Sequence, residues 1–366
     1  MLRRALSATV SLGLLATPSA GQQPKGPGDA RLIPGVFHEV FRNEGDFADI
    51  SSMVFAPTGH LVVVDTDAYE VTVFDVTGRV NIQWGRRGQG PGEFRRPPGR
   101  IAVSRDGRFA IDTNSGRIDF FDLRGNLLES HHAGGLSVGD LAFDAESRLL
   151  IEVRSPLETE RGQILRVADD AVLWSSRPLE PTTSLTLYPA KVLMAGIADI
   201  GADKIVVGVT DSYDLAVLDA STGQELGRIA RDVAVRGPTP DFVARVKERL
   251  GAAVGSRLRA ATVERVQFPE AFPVISSVFV GPPGRTVWVQ RHMGVADSLA
   301  PSLGDMEDST FRLYDLFTSG GSYDYIGTVQ VPDRLELMAG DSTRVAGVYT
   351  GALDEQSVRV LRFSRR

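Results

Sequence analysis

A short strand that ends in aspartate and runs into a glycine turn returns along this chain at a nearly fixed interval, and that period limits the fold more than anything else. Val73-Phe74-Asp75 with Gly78 comes back as Phe120-Phe121-Asp122 with Gly125, 47 residues on, then as Val167-Ala168-Asp169 after 47 more and Val217-Leu218-Asp219 after 50. Leu313-Tyr314-Asp315 follows after 96 residues, an interval that must hold an insertion, and Val360-Leu361-Arg362-Phe363 after a further 47. One such unit of four short strands cannot bury both of its faces alone. Units of this length arranged side by side around an axis can, which is the logic of a β-propeller. The count gives six blades.

Within blade one the strands fall at 52–55, 61–65, 71–75 and 80–84, separated by turns carrying Pro57-Thr58-Gly59 and Thr77-Gly78. Leu61-Val62-Val63-Val64 lacks polar alternation, as a strand covered on both faces should. Blade two repeats the pattern over 101–130, blade three over 138–174, blade four over 193–229 and blade five over 274–331. Blade six has only three strands, near 335–339, 345–349 and 358–363. Val36–Phe41, which belongs to no repeat, is the segment that can supply the fourth, so the reading is an all-β, six-bladed β-propeller closed by the N-terminal strand. An arm that packs without pairing is the alternative.

The link between blades one and two, Trp84 to Pro98, holds four glycines and three prolines, which exclude a helix or a central strand. Past Trp84 its one large apolar side chain, Phe94, reads as a plug between neighbouring sheets. The run Gly88-Gln89-Gly90-Pro91-Gly92-Glu93-Phe94, followed by Ile101-Ala102-Val103, Asp106-Gly107, Asp112 and Arg117-Ile118-Asp119-Phe120-Phe121-Asp122, resembles the NHL-repeat group of six-bladed propellers, in particular exported bacterial members. The resemblance covers blades one and two as motif and the rest as architecture; it implies a fold and no activity. Many of those exported relatives carry a lipid-attachment cysteine, which this chain lacks.

Arg3-Arg4 followed by an apolar run over 5–16 and by Pro18-Ser19-Ala20 has the form of a cleaved secretory signal peptide over 1–20, with a flexible linker expected over 21–34 and the propeller over 35–366. The apolar run is too short to span a bilayer, so a periplasmic or secreted protein is expected. The formal charge of -6 becomes more negative once the two arginines are removed, which argues against nucleic acid as a partner. With no cysteine there can be no disulfide and no thiolate metal site. A monomer is expected.

In a propeller the turns after the first and third strands of each blade share one face, and the remaining turns and connectors share the other. Here the first set is short, while the second carries the connector around Gly90, the excursion 154–162, the link 177–189, the insertion 237–273 and the loop 292–309. Loops gathered at one end of a rigid scaffold are where binding concentrates, and length drift without function is the competing explanation. The insertion includes one helix between blades four and five, about 238–262. Phe242, Val243, Val246, Leu250, Val254 and Leu258 recur at helical spacing over 240–260, and Thr239 or Asp241 is placed to cap it. A lid packed on the propeller is the plainer role; a helix that docks a partner is the alternative.

Candidate chemistry is thin. Gly135-Leu136-Ser137-Val138-Gly139 matches a nucleophile elbow in letters only, because strand residues follow where a helix is needed. The five histidines, His38, His60, His131, His132 and His292, are scattered, and the adjacent pair points to opposite faces of a strand. The ligand-facing candidates are therefore Arg86 and Arg87 of the basic connector, which also holds Arg95 and Arg96, then Arg100 and Asp140 at the channel, and His292 at the head of the blade-five loop. Asp65 and Asp112 end corresponding strands and read as turn caps. The expectation is an exported, non-catalytic binding or scaffold propeller without a cofactor, recognising a protein, peptide or glycan on its loop-rich face. The alternative is a metal-dependent, lactonase-like hydrolase or lyase with one divalent ion such as calcium in the channel, held by Asp49, Asp140 and Glu336.

Overall fold

The computed structural model describes residues 30–114, 116–132, 137–154, 161–179, 186–199, 202–253, 263–283, 286–300 and 311–365. The expected signal peptide and the linker as far as residue 29 lie outside them. Six four-stranded antiparallel sheets stand side by side, and their innermost strands touch one another in sequence around a closed ring. Blade one comprises Ile50–Phe55, Leu61–Asp65, Glu70–Phe74 and Val80–Trp84, from the channel outward. The unalternated run Leu61 to Val64 is at most 1% exposed, because sheets of blades six and two cover its two faces.

The N-terminal segment pairs, as expected, rather than only packing. Gly35–Phe47 lies antiparallel to the C-terminal strand Gln356–Arg365 and becomes the outermost strand of blade six. Two side chains lock it. Phe41 lies over the turn at Gly78, where a Cβ would stand 2.5 Å from the ring, and Phe37 packs on Phe363 with ring centroids 5.2 Å apart. The chain begins to pair still earlier: Ile33 N–H donates to the Thr328 carbonyl (2.8 Å), and Thr328 N–H donates to the Arg31 carbonyl (2.7 Å). Residues 31–33 thus lie parallel along the outer strand of blade five, Tyr325–Pro332.

Outer strands are sheet edges, that of blade five partly covered by residues 31–33, and all six are blunted in the same way. Each carries a bulge near its start or middle, at Val40, Asn81, Leu128, Leu173, Leu226 and Ile326, and the strand Gly35–Phe47 has a second irregularity between Asn43 and Phe47. Such bulges bend an edge and spoil it as a template for another chain.

The insertion between blades four and five contains the helix Pro240–Ala253. Thr239 caps it, its hydroxyl accepting from Phe242 N–H (3.3 Å), so of the two candidates Asp241 only contributes its charge to the first turn. Two registers differ from the sequence reading: in blade three the third strand, Gly162–Arg166, ends before Val167-Ala168-Asp169, which lie in the turn that follows, and the second difference is in blade five. Phe317, not Tyr314, occupies the place of Phe74, Phe121 and Leu218, and Thr318 rather than Asp315 opens the turn. The blade-five strand runs three residues past the apparent repeat.

Candidate functional site: the loop-rich face and channel mouth

The two faces of the ring are built differently. On one, tight turns repeat from blade to blade, with Gly59, Gly78, Gly107, Gly125 and Gly223 at φ of +74 to +86°. Asp75, Asp122 and Asp219 each accept turn N–H groups there. On the other, the long segments of blades three to five are woven together. Leu187 N–H donates to Gln267 O (3.0 Å), Phe272 N–H to Arg236 O (3.1 Å), Arg236 N–H to Gly294 O (2.9 Å) and Ala296 N–H to Ala234 O (2.8 Å). An aromatic cluster seats the helix on this weave: Phe242 is 2% exposed and packs against Tyr188, Phe268 and Phe272. The helix is a lid fixed to the propeller by one of its faces.

Over blades one and two the connector is organised by a residue the sequence reading named only as part of a motif. The Glu93 carboxylate accepts from Gly90 N–H (2.8 Å) and from Arg86 Nε (2.7 Å), and a Cβ at Gly88 would collide with it. The Gly90 amide first, then Arg86, hold its carboxyl below the usual carboxylate range. Arg86 therefore already carries an anionic partner, although most of its surface is exposed, and Arg87 lies over the Tyr69 ring at 5.9 Å. Phe94 is fully buried between blades one and two, 6.1 Å from the Phe121 ring, as a plug should be.

At the channel mouth two of the candidates meet. The Arg100 guanidinium donates to Ser51 O (3.1 Å) and stands 3.3 Å from Asp140, whose other oxygen accepts from Met194 N–H (3.3 Å). A single arginine from blade two thus joins blades one and three, and Asp140 extends the belt to blade four. A bulge at Gly139-Asp140 breaks the inner strand of blade three here; similar bulges occur at Ser51, Ser276 and Met338. The other proposed metal ligands stay apart from Asp140. Asp49 offers its backbone N–H to Asp65 (3.1 Å), and Glu336 pairs with Arg312 (3.4 Å). Among the described residues no three His, Asp or Glu side chains gather as a cation would require.

Asp65 and Asp112 cap turns as expected, with unequal support. Asp65 accepts N–H groups from Ala48, Asp49 and Ala68. In blade two the connector offers less: Pro97 and Pro98 have no N–H, Gly99 N–H bonds the Asp112 backbone carbonyl, and the carboxylate accepts from Asn114 N–H (2.9 Å). Burial pushes the Asp112 carboxyl up to about 6, against the opposing pull of that amide and of Arg100. His292 does not join this belt. It lies against Tyr188, 6.0 Å between ring centroids, and burial lowers its pKa despite the Pro273 carbonyl.

The largest feature missed from sequence is a buried ion cluster where blades four and five meet beneath the weave. Asp315, wholly buried, accepts from Tyr213 OH (2.5 Å), Arg231 Nη1 (2.5 Å), Arg291 Nε (2.8 Å) and Thr328 OH (2.6 Å). Arg291 also reaches Asp297 (2.9 Å), and Arg231 lies over the Tyr325 ring at 4.4 Å. Two guanidinium groups balance two carboxylates, so the cluster is close to neutral. Burial and then the Asp315 charge push the Tyr213 phenol far above its ordinary range, keeping it protonated as a donor.

No family model matches this chain, and no curated protein matches it. Among solved structures it resembles a Bacteroides fragilis NCTC 9343 protein thought to be exported, with TM-score 0.55 and 10% identity over 91% of this chain and 95% of that one. It also resembles a DUF4221-family member from Bacteroides vulgatus ATCC 8482, with TM-score 0.54 and 9% identity over 93% and 99% of the two chains. No helix among the described residues is long and apolar enough to cross a membrane. At such identities a likeness carries architecture alone, and the architecture it carries is the one the sheets display: this chain is a six-bladed β-propeller.

Proposed function

We propose that this is an exported binding propeller that takes a protein, peptide or glycan on its loop-rich face, at the channel mouth between the connector of blades one and two and the weave over blades three to five. One observation carries the reading: among the described residues, the long segments of that face are bonded to one another instead of hanging separately. A surface ordered this far costs backbone entropy that length drift alone does not repay. The belt Ser51, Arg100, Asp140 supplies hydrogen-bonding groups of both kinds at the mouth, where Arg100 is about half-exposed. Arg87 adds a flat cation beside an aromatic ring, a pairing suited to sugars and to peptide carboxylates.

The export half of the proposal rests on the form of residues 1–20. Mass spectrometry of the chain recovered from the periplasm checks it; an intact N-terminus on soluble protein overturns it. For binding, a glycan array and a random-peptide phage library are panned on the immobilised chain, and every hit is measured again on Arg87→Ala and Arg100→Ala. The site predicts losses of about tenfold or more for at least one variant, roughly 1.4 kcal/mol. Hits indifferent to both substitutions, or no hits, overturn it.

A further inference from the structure

We propose that the N-terminal arm is a strap: docked on the outer edge of blade five, residues 31–33 set the position of the loop His292–Ala300 on the opposite, loop-rich side of that blade. This holds whatever the face binds. The arm does more than extend a sheet. Arg31 N–H donates to Tyr325 OH (3.1 Å), and Ile33 fills the space over Gly327, where a Cβ would stand 2.4 Å from its side chain.

From there the hydrogen bonds run without a gap into the ion cluster, and proton accounting fixes their direction. Thr328 has one hydroxyl proton, and Asp315 takes it (2.6 Å), so the 2.6 Å contact between Thr328 and Tyr325 must be donated by Tyr325. The Tyr325 oxygen is then the acceptor that Arg31 N–H meets. On the other side Arg291 binds Asp315 through Nε and Thr328 through Nη2 (2.9 Å), leaving Nη1 for Asp297 (2.9 Å). Asp297 in turn accepts from Leu299 N–H (3.1 Å), inside the loop.

Such a chain transmits displacement because its centre cannot relax cheaply. Asp315 is fully buried between two buried arginines, and a carboxylate there that loses a donor leaves charge uncompensated in a low dielectric. Moving Thr328 therefore moves Arg291, and Arg291 holds Asp297. The backbone bond Ala296 N–H to Ala234 O ties the same loop to the insertion, so the effect reaches the weave. The arm itself is accessible, with Leu32 38% exposed, so trimming or capture of residues 31–33 is the event that would release the strap.

Amide hydrogen exchange on the full chain tests this with two variants. Ile33→Pro removes the N–H donated to the Thr328 carbonyl and the side chain over Gly327; Tyr325→Phe keeps the backbone pairing of the arm with Thr328 and removes the hydroxyl that links Arg31 N–H to the Thr328 side chain. The strap predicts exchange at Ala296 and Leu299 faster by about tenfold in both variants, faster exchange at Thr328 in Ile33→Pro, and no change at Phe94 in the connector. Faster exchange at Thr328 with an unmoved loop overturns the proposal. So does an equal rise at Phe94, which signals general loosening, or no change at Thr328, which means the arm was not docked.

Discussion

The seam between blades one and two and the seam between blades four and five solve the same packing problem with opposite materials. The first is closed by hydrocarbon: Phe94, Val62, Val64, Phe109, Ile111 and Phe121 are buried together. The second has an apolar body too, from Leu215 to Phe317, but its end under the loops is closed by Arg231, Arg291, Asp297 and Asp315. Dispersion and burial are non-directional, so the first seam needs volume and little else. The ion cluster needs every partner, because removing one strands the charge of another. The forgiving seam underlies a loop held by its own Glu93, and the exacting seam underlies a weave that several segments share.

The largest effect should come from breaking the exacting seam. Asp315→Ala leaves two buried guanidinium groups with one carboxylate and should cost roughly 3–5 kcal/mol in chemical denaturation. Replacing Asp315 and Arg291 together by apolar residues of similar volume should cost less than Asp315→Ala alone, since no charge is left unpaired. Equal or additive losses would remove the electrostatic distinction between the seams. Phe94→Ala should follow at about 3–4 kcal/mol, while Phe94→Leu should stay near 1 kcal/mol. A similar loss for both would mean that the apolar seam is as particular as the ionic one.

Asp112 sharpens the contrast, being a carboxylate near the forgiving seam with little to hold it. Its folded pKa, about 6, lies above the ordinary unfolded value near 3.9. Between those values the native state holds more protons, so the stability it contributes is present at low pH and falls as pH rises from about 4 through 6. Asp112→Asn should therefore raise stability at pH 7.5 by about 2 kcal/mol and leave it unchanged near pH 3.5. A stability difference that does not vary with pH would refute the assignment. Asp65→Asn, which replaces an acceptor of three backbone N–H groups, should lower stability instead. The smallest effect is expected at the lid: Thr239→Ala removes the helix cap and should cost about 1 kcal/mol, read in the same denaturation assay.

The forgiving seam was legible and the exacting one was not. Phe94 could be placed because it is the only large apolar side chain in a run of glycine, proline and charge, and such a residue has few places to go. Arg100 and Asp140 could be named separately as channel residues, but their contact could not, since it depends on how blades two and three are set against each other. Asp315 was misread for an instructive reason. It follows a tyrosine in a strand, as Asp122 follows a phenylalanine, so the repeat assigned it to a turn; the strand in fact continues to Phe317, and Asp315 faces inward. Its partners are spread from Tyr213 to Thr328 and share no local pattern.

By itself the sequence determined the number of blades, the site of ring closure, the face that carries the long loops and the position of the plug. Those follow from period, alternation and backbone restrictions, which are local and repeat with every blade. Only the tertiary structure decided which charges are buried together, which carboxylate is left poorly supported, and that residues 31–33 bind blade five before the chain joins blade six. An arginine reads the same in sequence whether water or a buried aspartate surrounds it. Its energy depends on the neighbours and the dielectric that the assembled ring provides.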